Sequence, residues 1–253
     1  MRNEIDQLLT RQPVGIDLRV SDAGSILNSM NPQATNVVSS NTMLDTRNVT
    51  SEDYSNFREL QLNEQEGQAY RIDVSPNWHQ VLIIAPHGGR IELYTSQIAK
   101  WIADKDFAWY SFEGIKGDNP RLHITSHKFD EPTLLLALQE AETVLTIHGK
   151  KASSDEFLEI GGLDTKFGHE LRVAFQHQGF IVREAKQGYR GEVATNICNR
   201  GCTGKGVQLE ISFALRKRIF EDRECGIRFI STIRSLIKAH REELSFNSNV
   251  NIV

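Results

Sequence analysis

The chain alternates between short, continuous hydrophobic runs and segments in which hydrophobic residues recur with helical spacing. Continuous runs are typical of strands that are buried on both faces of a sheet. They predict strands at 81–85, 107–112, 122–125, 144–147, 180–182 and 207–212. Helical spacing predicts helices that begin near Ser51, at Thr95 and at Glu131-Pro132, and that cover 166–178 and 227–240. Repeated alternation of strand and helix predicts an α/β protein, with a mostly parallel or mixed central sheet flanked by helices.

The first fifty residues differ from the rest of the chain. Asn, Ser and Thr crowd residues 21–50, and the hydrophobic residues there follow neither the helix period nor the strand period. The pattern predicts an N-terminal extension over 1–50, partly disordered or loosely packed, followed by one domain over 51–253. A chain of 253 residues is long enough for such a domain to bury a substantial core.

Composition narrows the class of protein. Hydrophobic residues make up 39% of the chain and charged residues 25%, which is typical of a soluble globular protein. A net charge of -4 argues against a nucleic-acid partner bound mainly through its phosphates. No segment reaches the roughly 18 consecutive hydrophobic residues of a membrane span, and the N-terminus lacks the hydrophobic core of a signal peptide. We therefore expect a cytoplasmic protein with no membrane partner, one that leaves the cell only on lysis.

The three cysteines are Cys198, Cys202 and Cys225. An odd number in a chain of this length argues against a disulfide framework. Cys198 and Cys202 are spaced C-x3-C, but no second pair accompanies them, as most structural zinc sites require. We interpret all three as structural residues.

Two predicted strands are each followed by a His-Gly pair. His87 follows the run at 81–85, and His148 follows the run at 144–147. Ligands in α/β sheets bind at the carboxyl ends of the strands, and glycine there allows a tight turn. Glu92, five residues after His87, could add a carboxylate, which would complete the ligand set of a hydrolytic zinc site. The spacing alone leaves two interpretations open, a metal site and a pair of hydrogen-bonded structural histidines.

Ordered sequence blocks between residues 52 and 241 are similar to one known family. The blocks are 70–72, 85–92, 95–96, 110–114, 122–126, 129–132, 147–149, 161–164, 196–201 and 206–212. They resemble the poly-gamma-glutamate hydrolases of phages and prophages, which are also labelled phage-related replication proteins and have a zinc-carboxypeptidase-like fold. Residues 1–50 match nothing in that family.

The resemblance implies a zinc-dependent hydrolase of γ-glutamyl amide bonds. His87, Glu92 and His148 match the family's metal ligands, and Glu210 matches the general base that takes a proton from the attacking water. The H-x4-E spacing is longer than the H-x-x-E of the carboxypeptidases to which the family is similar. The alternation in 207–211 independently places Glu210 on the polar face of its strand, together with Gln208.

The implied substrate is a polyanionic γ-glutamyl polymer or a small glutamyl amide, and it needs cations in the cleft because the chain is itself acidic. Guanidinium groups suit carboxylates because they donate two parallel hydrogen bonds. Arg200 is the preferred carboxylate ligand, and Arg90, Lys205 and His127 are further candidates. We expect a monomer.

Several alternatives stay open. His123 and His127 share strand parity and could bind metal, contact the substrate or only pack the loop. Glu113 could replace Glu210 as the base, or could be a structural loop carboxylate. The enzyme could instead act on an N-acyl glutamate or a cell-wall peptide, because fold does not fix specificity. A third interpretation is a non-catalytic phage replication or structural protein with a vestigial site.

Overall fold

The computed structural model of the protein describes residues 54–76, 79–117, 119–150 and 154–250, with side chains as far as residue 242. The extension predicted over 1–50 and the helix start predicted at Ser51 lie outside these residues. In the described part of the chain, no helix is both long enough and hydrophobic enough to cross a membrane.

Seven strands form one mixed sheet, in the order β1-β3-β2-β4-β7-β5-β6. Their bounds are β1 Tyr70–Val74, β2 Val81–Gly89, β3 Ala108–Gly114, β4 Thr143–Lys150, β5 Leu158–Gly161, β6 Val182–Arg183 and β7 Val207–Ser212. Strands β3, β2, β4 and β7 are mutually parallel, whereas β1 and β5 pair antiparallel with β3 and β7. The carboxyl ends of the four central strands therefore meet at one edge of the sheet.

Helices cover both faces of the sheet. They are α1 Phe57–Asn63, α2 Thr95–Ala103, α3 Pro132–Leu138, α4 Thr165–His177, α5 Phe213–Glu221 and α6 Arg223–Val250, with 3-10 turns at Asn119–Leu122 and Ile197–Asn199. One hydrophobic core lies between the sheet and α2, α4, α5 and α6, and the other lies beneath α1 and α3. The fold is thus the expected mixed α/β sheet flanked by helices.

Local sequence explains where several of these elements begin and end. Glu131 caps α3 by accepting the N–H groups of Thr133 and Leu134, and Pro132 takes the first helical position, where no N–H is needed. Gly179, with φ of 80°, follows the end of α4 in a conformation that favours glycine. These signals fix the positions of α3 and α4 closely.

Other elements differ from the prediction. The strand predicted over 122–125 is wrong: a 3-10 turn leads into irregular chain, because Pro120 cannot donate to a ladder and β1 already fills the outer edge of β3. Strands β1 and β5 and helix α5 were not expected, since their short, mixed patterns carry little periodic signal. Strand β2 also runs further than predicted and includes His87, with a register shift between Ala85 and Gly88.

Candidate metal centre and active site

His87 and His148 meet at the carboxyl ends of the neighbouring parallel strands β2 and β4. Both side chains are buried, and their Nδ1 atoms lie 3.2 Å apart. The fold therefore brings together two histidines that are 61 residues apart in the sequence and that each follow a hydrophobic run.

Glu92 reaches both histidines from the loop between β2 and α2. Its Oε1 lies 3.2 Å from His87 Nδ1, and its Oε2 lies 3.9 Å from His148 Nδ1. Oε2 also accepts the Gly149 N–H at 2.6 Å, which fixes the carboxylate against β4. The loop is closed by two hydrogen bonds, from the Glu92 N–H to the His87 carbonyl and from the Thr95 hydroxyl to the Glu92 carbonyl.

The outer ring nitrogens of both histidines are held by the chain at 124–126. His87 Nε2 lies 2.8 Å from the Ile124 carbonyl, to which it donates, and His148 Nε2 lies 3.2 Å from the Ser126 hydroxyl. When one ring nitrogen of a neutral imidazole carries the proton and donates a hydrogen bond, the other nitrogen has a lone pair that can bind a metal. Both Nδ1 atoms consequently point towards Glu92 in the orientation that a metal ligand needs.

His123 lies at the edge of the same cluster. Its ring is 3.9 Å from the ring of His87, centroid to centroid, and its Nε2 is 3.8 Å from Glu92 Oε1. Ligand atoms of His87, Glu92 and His123 all lie within 4.8 Å of one another. The cluster thus contains three imidazoles and one carboxylate. His123 is the most exposed of the three imidazoles.

The donor set fits zinc. Ligand atoms about 2.0–2.2 Å from a tetrahedral zinc ion are separated by roughly 3.3–3.6 Å. His87 Nδ1 lies 3.2 Å both from His148 Nδ1 and from Glu92 Oε1, close to that range, and His148 Nδ1 lies 3.9 Å from the other Glu92 oxygen, Oε2. Imidazole nitrogen and carboxylate oxygen are also the ligands of hydrolytic zinc sites, so both the chemistry and the spacing of these residues suit the ion.

Electrostatic coupling within the cluster is strong. Burial opposes the charge on Glu92, but the neighbouring His87 outweighs it and lowers the pKa of Glu92 to about 2. Burial and the charge on His87 lower the pKa of His148 to about 4, and His87 and burial lower that of His123 to about 3. Burial lowers the pKa of His87 as well, yet Glu92 raises it above the ordinary value. At neutral pH, Glu92 is therefore ionised and His148 and His123 are neutral.

Glu210 lies on β7, directly opposite His148 in the register of the two parallel strands. It shares its face of the sheet with Gln208, whose Nε2 lies 3.4 Å from Glu210 Oε1, as the sequence alternation predicted. Burial, followed by the negative charge of Glu92, raises the pKa of Glu210 to about 8. The structure thus places a carboxyl group with a raised pKa beside the cluster. A shifted pKa of this kind is common in catalytic acids and bases.

Glu113, the alternative base, is engaged elsewhere. Its carboxylate accepts the Ser111 hydroxyl at 2.9 Å and lies 3.4 Å from Lys100 Nζ, and Lys100 also contacts Asp73. These contacts give Glu113 a structural role in the polar network between β3 and α2.

The four proposed substrate ligands occupy different positions. Arg90 and His127 are exposed, on the loop after β2 and on the turn that follows Ile124. The Arg200 guanidinium donates to the Phe129 carbonyl at 3.3 Å, and Lys205 lies 3.4 Å from Asp164. A loop that precedes a strand leads to its amino end, so Lys205 lies at the end of β7 away from the cluster. The role of these four residues in substrate binding stays a prediction.

Two residues near Glu210 were missed by the sequence analysis. Lys150, two residues after His148, ion-pairs with the buried Glu159 and lies 4.8 Å above the ring of Tyr189. Glu159 is itself opposite Glu210 in the β5–β7 register. Strand parity with His148 could have identified Lys150, whereas Glu159 lies on a strand that the pattern did not predict.

Known proteins are similar to this chain in sequence and in fold. The chain is 39% identical over 175 residues to the UPF0714 protein YmaC of Bacillus subtilis (strain 168), which covers 67% of this chain and 72% of that protein. The solved structure of a bacteriophage poly-gamma-glutamate hydrolase superposes with a TM-score of 0.70 at 28% identity, over 76% of this chain and 99% of the other. The zinc-free apo structure of YndL superposes with a TM-score of 0.68 at 32% identity, over 74% and 98% of the two chains.

The family comparison agrees with these relatives. The family model described as poly-gamma-glutamate hydrolase matches residues 54–235, which include every residue of the cluster and Glu210. The three cysteines lie within the described residues and are free thiols. The chain therefore belongs to the poly-gamma-glutamate hydrolase family.

Proposed function

We propose that the protein is a zinc-dependent hydrolase that cleaves the γ-glutamyl amide bonds of poly-γ-glutamate. The observation that carries the proposal is the convergence of His87 Nδ1, His148 Nδ1 and the Glu92 carboxylate, with Glu210 opposite His148 on the next strand. Family membership and the phage hydrolase structure support the choice of substrate.

We assign His87, Glu92 and His148 as the zinc ligands. His148 is preferred to His123 because its side chain is buried, its Nδ1 lies 3.2 Å from His87 Nδ1, and its outer nitrogen is held by Ser126. When bound, zinc supplies Lewis acidity that polarises an amide carbonyl and makes a coordinated water acidic near neutral pH. His123, the most exposed of the three imidazoles, is proposed to face the substrate.

Glu210 is the proposed general base. Its carboxylate must be ionised to take a proton from the attacking water, and a nearby cation favours that form because opposite charge lowers a carboxyl pKa. The same carboxyl group then gives the proton to the amine that leaves. Gln208 constrains Glu210, because the Gln208 amide also donates to the Tyr189 carbonyl at 2.8 Å and accepts from Asn196 at 3.0 Å.

The substrate must overcome charge repulsion. Each residue of poly-γ-glutamate carries a free α-carboxylate, and the protein has a net charge of -4. Lys150 is a cation beside Glu210, and Arg90 and His127 are exposed on loops after β2 and after Ile124. We propose that these three residues and Arg200, which lies against the Phe129 carbonyl, contact substrate carboxylates, and that Lys205 meets only more distant parts of a long polymer.

The test is incubation of the purified protein with γ-linked and α-linked polyglutamate, with and without a chelator, followed by measurement of product size. We expect cleavage of the γ-linked polymer alone, loss of cleavage with the chelator, and recovery on addition of zinc. Cleavage that survives complete removal of metal would overturn the zinc mechanism. Cleavage of short glutamyl amides alone would assign the protein to a small-substrate amidohydrolase instead.

A further inference from the structure

We infer that Arg216 is a positioning residue that holds two of the zinc ligands, Glu92 and His148, and the general base in one arrangement. The inference rests on the proposed function, because it concerns the geometry of that same site. Arg216 lies on α5, one turn after β7 ends, and its side chain is buried.

The guanidinium group of Arg216 joins three separate segments. Its Nε donates to the Leu93 carbonyl at 2.8 Å, and its Nη1 donates to the Lys150 carbonyl at 3.4 Å and to the Ile211 carbonyl. Leu93 directly follows Glu92 and Ile211 directly follows Glu210, whereas Lys150 is two residues beyond His148. Glu92 and Glu210 are therefore each followed directly by a carbonyl that this guanidinium binds, and His148 is followed by one two residues later.

Gly149 shows how closely the guanidinium packs against β4. A Cβ atom at Gly149 would lie 2.6 Å from both Cζ and Nη1 of Arg216, far inside van der Waals contact. The Gly149 N–H is also the donor that fixes Glu92 Oε2. Displacement of the guanidinium would consequently disturb the peptide that follows His148 and the carboxylate of Glu92 together.

The charge of Arg216 also acts on the site. Its hydrogen-bond acceptors among the described residues are main-chain carbonyls, so no carboxylate neutralises it by direct contact. Burial lowers the pKa of Arg216, and the negative charges of Glu92 and Glu210 offset only part of that effect. A buried cation without an ion-pair partner is costly, and here it faces the two acids of the site.

Lysine cannot reproduce this arrangement. Arginine offers five N–H donors in a rigid plane, whereas the lysine ammonium is a single nitrogen on a flexible chain. An Arg216→Lys variant keeps the positive charge but cannot bind carbonyls on three segments at once. That substitution separates the effect of geometry from the effect of charge.

Arg234 provides a matched control. It is also buried, and its Nη1 donates to the Ile102 and Ala103 carbonyls at 2.6 and 3.2 Å, at the end of α2 away from the cluster. Arg234 also pairs with Asp106, unlike Arg216, but Arg234→Lys alters the same kind of guanidinium–carbonyl contact without touching the ligand segments.

The experiment makes two measurements on the folded full-length protein. Competition with a chelating dye gives the zinc affinity. The visible absorption of the cobalt-substituted protein reports the geometry of the ligands. Substitutions outside the ligand shell commonly weaken metal binding about 10- to 100-fold, and we expect a loss in that range for Arg216→Lys, with an altered cobalt spectrum. Arg234→Lys should keep wild-type affinity and spectrum even where its melting temperature falls.

Wild-type affinity and spectrum in folded Arg216→Lys would overturn the inference. If that variant fails to fold, Gly149→Ala provides the same test, because it retains Arg216 and displaces its guanidinium; wild-type zinc affinity in that variant would equally overturn it. Wild-type protein that takes up neither zinc nor cobalt would refute the proposed function and this role together. Normal uptake with unchanged variants would refute the role of Arg216 alone.

Discussion

His148 and Glu210 occupy directly opposing positions on the parallel strands β4 and β7. The side chains of opposing residues in neighbouring strands project to the same face of a sheet. The proposed ligand and the proposed base are therefore set side by side by the backbone of the sheet rather than by a flexible loop.

Glu210→Gln should abolish turnover and leave zinc binding nearly intact, because the amide keeps the shape of the side chain but cannot accept a proton from water. General bases typically contribute about 10²- to 10⁴-fold to the rate. The measurement is hydrolysis of γ-linked polyglutamate at matched zinc occupancy. Glu113→Gln is the control and should be far milder, since Glu113 is held by Ser111 and Lys100.

A Glu210→Gln variant that retains more than a tenth of the wild-type rate would contradict this assignment, since a tenfold loss corresponds to only about 1.4 kcal/mol of barrier. An inactive Glu113→Gln variant beside an active Glu210→Gln variant would move the role of the base to β3.

His87→Ala and His148→Ala should each lower the zinc content sharply, because each removes one of three protein ligands. Elemental analysis of the purified proteins measures this, with near-stoichiometric zinc expected in the wild type. His169→Ala is a suitable control because His169 is exposed on α4. Full zinc in both ligand variants would exclude the assignment and direct attention to His123.

Zinc binding should release a proton from Glu210. With a pKa raised to about 8, this carboxyl is mostly protonated at pH 7 in the metal-free protein, and a nearby dication favours ionisation. Titration calorimetry in two buffers of different ionisation enthalpy gives the number of protons released. Wild type should release about one proton more than Glu210→Gln at pH 7, and the difference should disappear well above pH 8. Equal release from both proteins at pH 7 would show that Glu210 is already ionised.

A chain that begins at Ser51 should fold and keep its activity per zinc. The composition changes near that residue, and the family match begins at residue 54. Cooperative unfolding and hydrolysis of γ-linked polyglutamate are the two measurements. Loss of cooperative unfolding in the shorter chain would show that the extension packs on the core.

The sequence predicted the centre of the sheet better than its edges. Strands β2, β4 and β7 are buried on both faces, and continuous hydrophobic runs mark such strands clearly. Strands β1 and β5 lie nearer the edges and are short, so tertiary pairing rather than local pattern decides that they form. The site depends on the central strands, so the pattern placed His87 and His148 at their carboxyl ends, whereas the ligand set and the role of Glu210 came from the family resemblance and stay predictions.

Both His-Gly pairs require glycine for lack of space and not for a tight turn. Glycine was expected there for its freedom to turn, but neither Gly88 nor Gly149 has a positive φ. At both positions, the surrounding atoms leave no room for a side chain. A Cβ at Gly88 would lie 2.2 Å from the Ser96 hydroxyl oxygen and 2.4 Å from that of Ser111, and a Cβ at Gly149 would strike Arg216. Contacts between distant segments cannot be read from local sequence, and the role of Arg216 was missed for the same reason.

The hydrogen bond from the Gly149 N–H to Glu92 Oε2 spans 57 residues of chain. Until β4 has taken its place beside β2, the loop that carries Glu92 lacks this anchor, and His148 is absent from the cluster. Contacts between distant segments form slowly, because the intervening chain must first be ordered. The affinity for metal should therefore arise late in folding. Because β4 is buried at the centre of the sheet, it opens only when the core opens, and a bound ion should be held through β4 until the sheet itself unfolds.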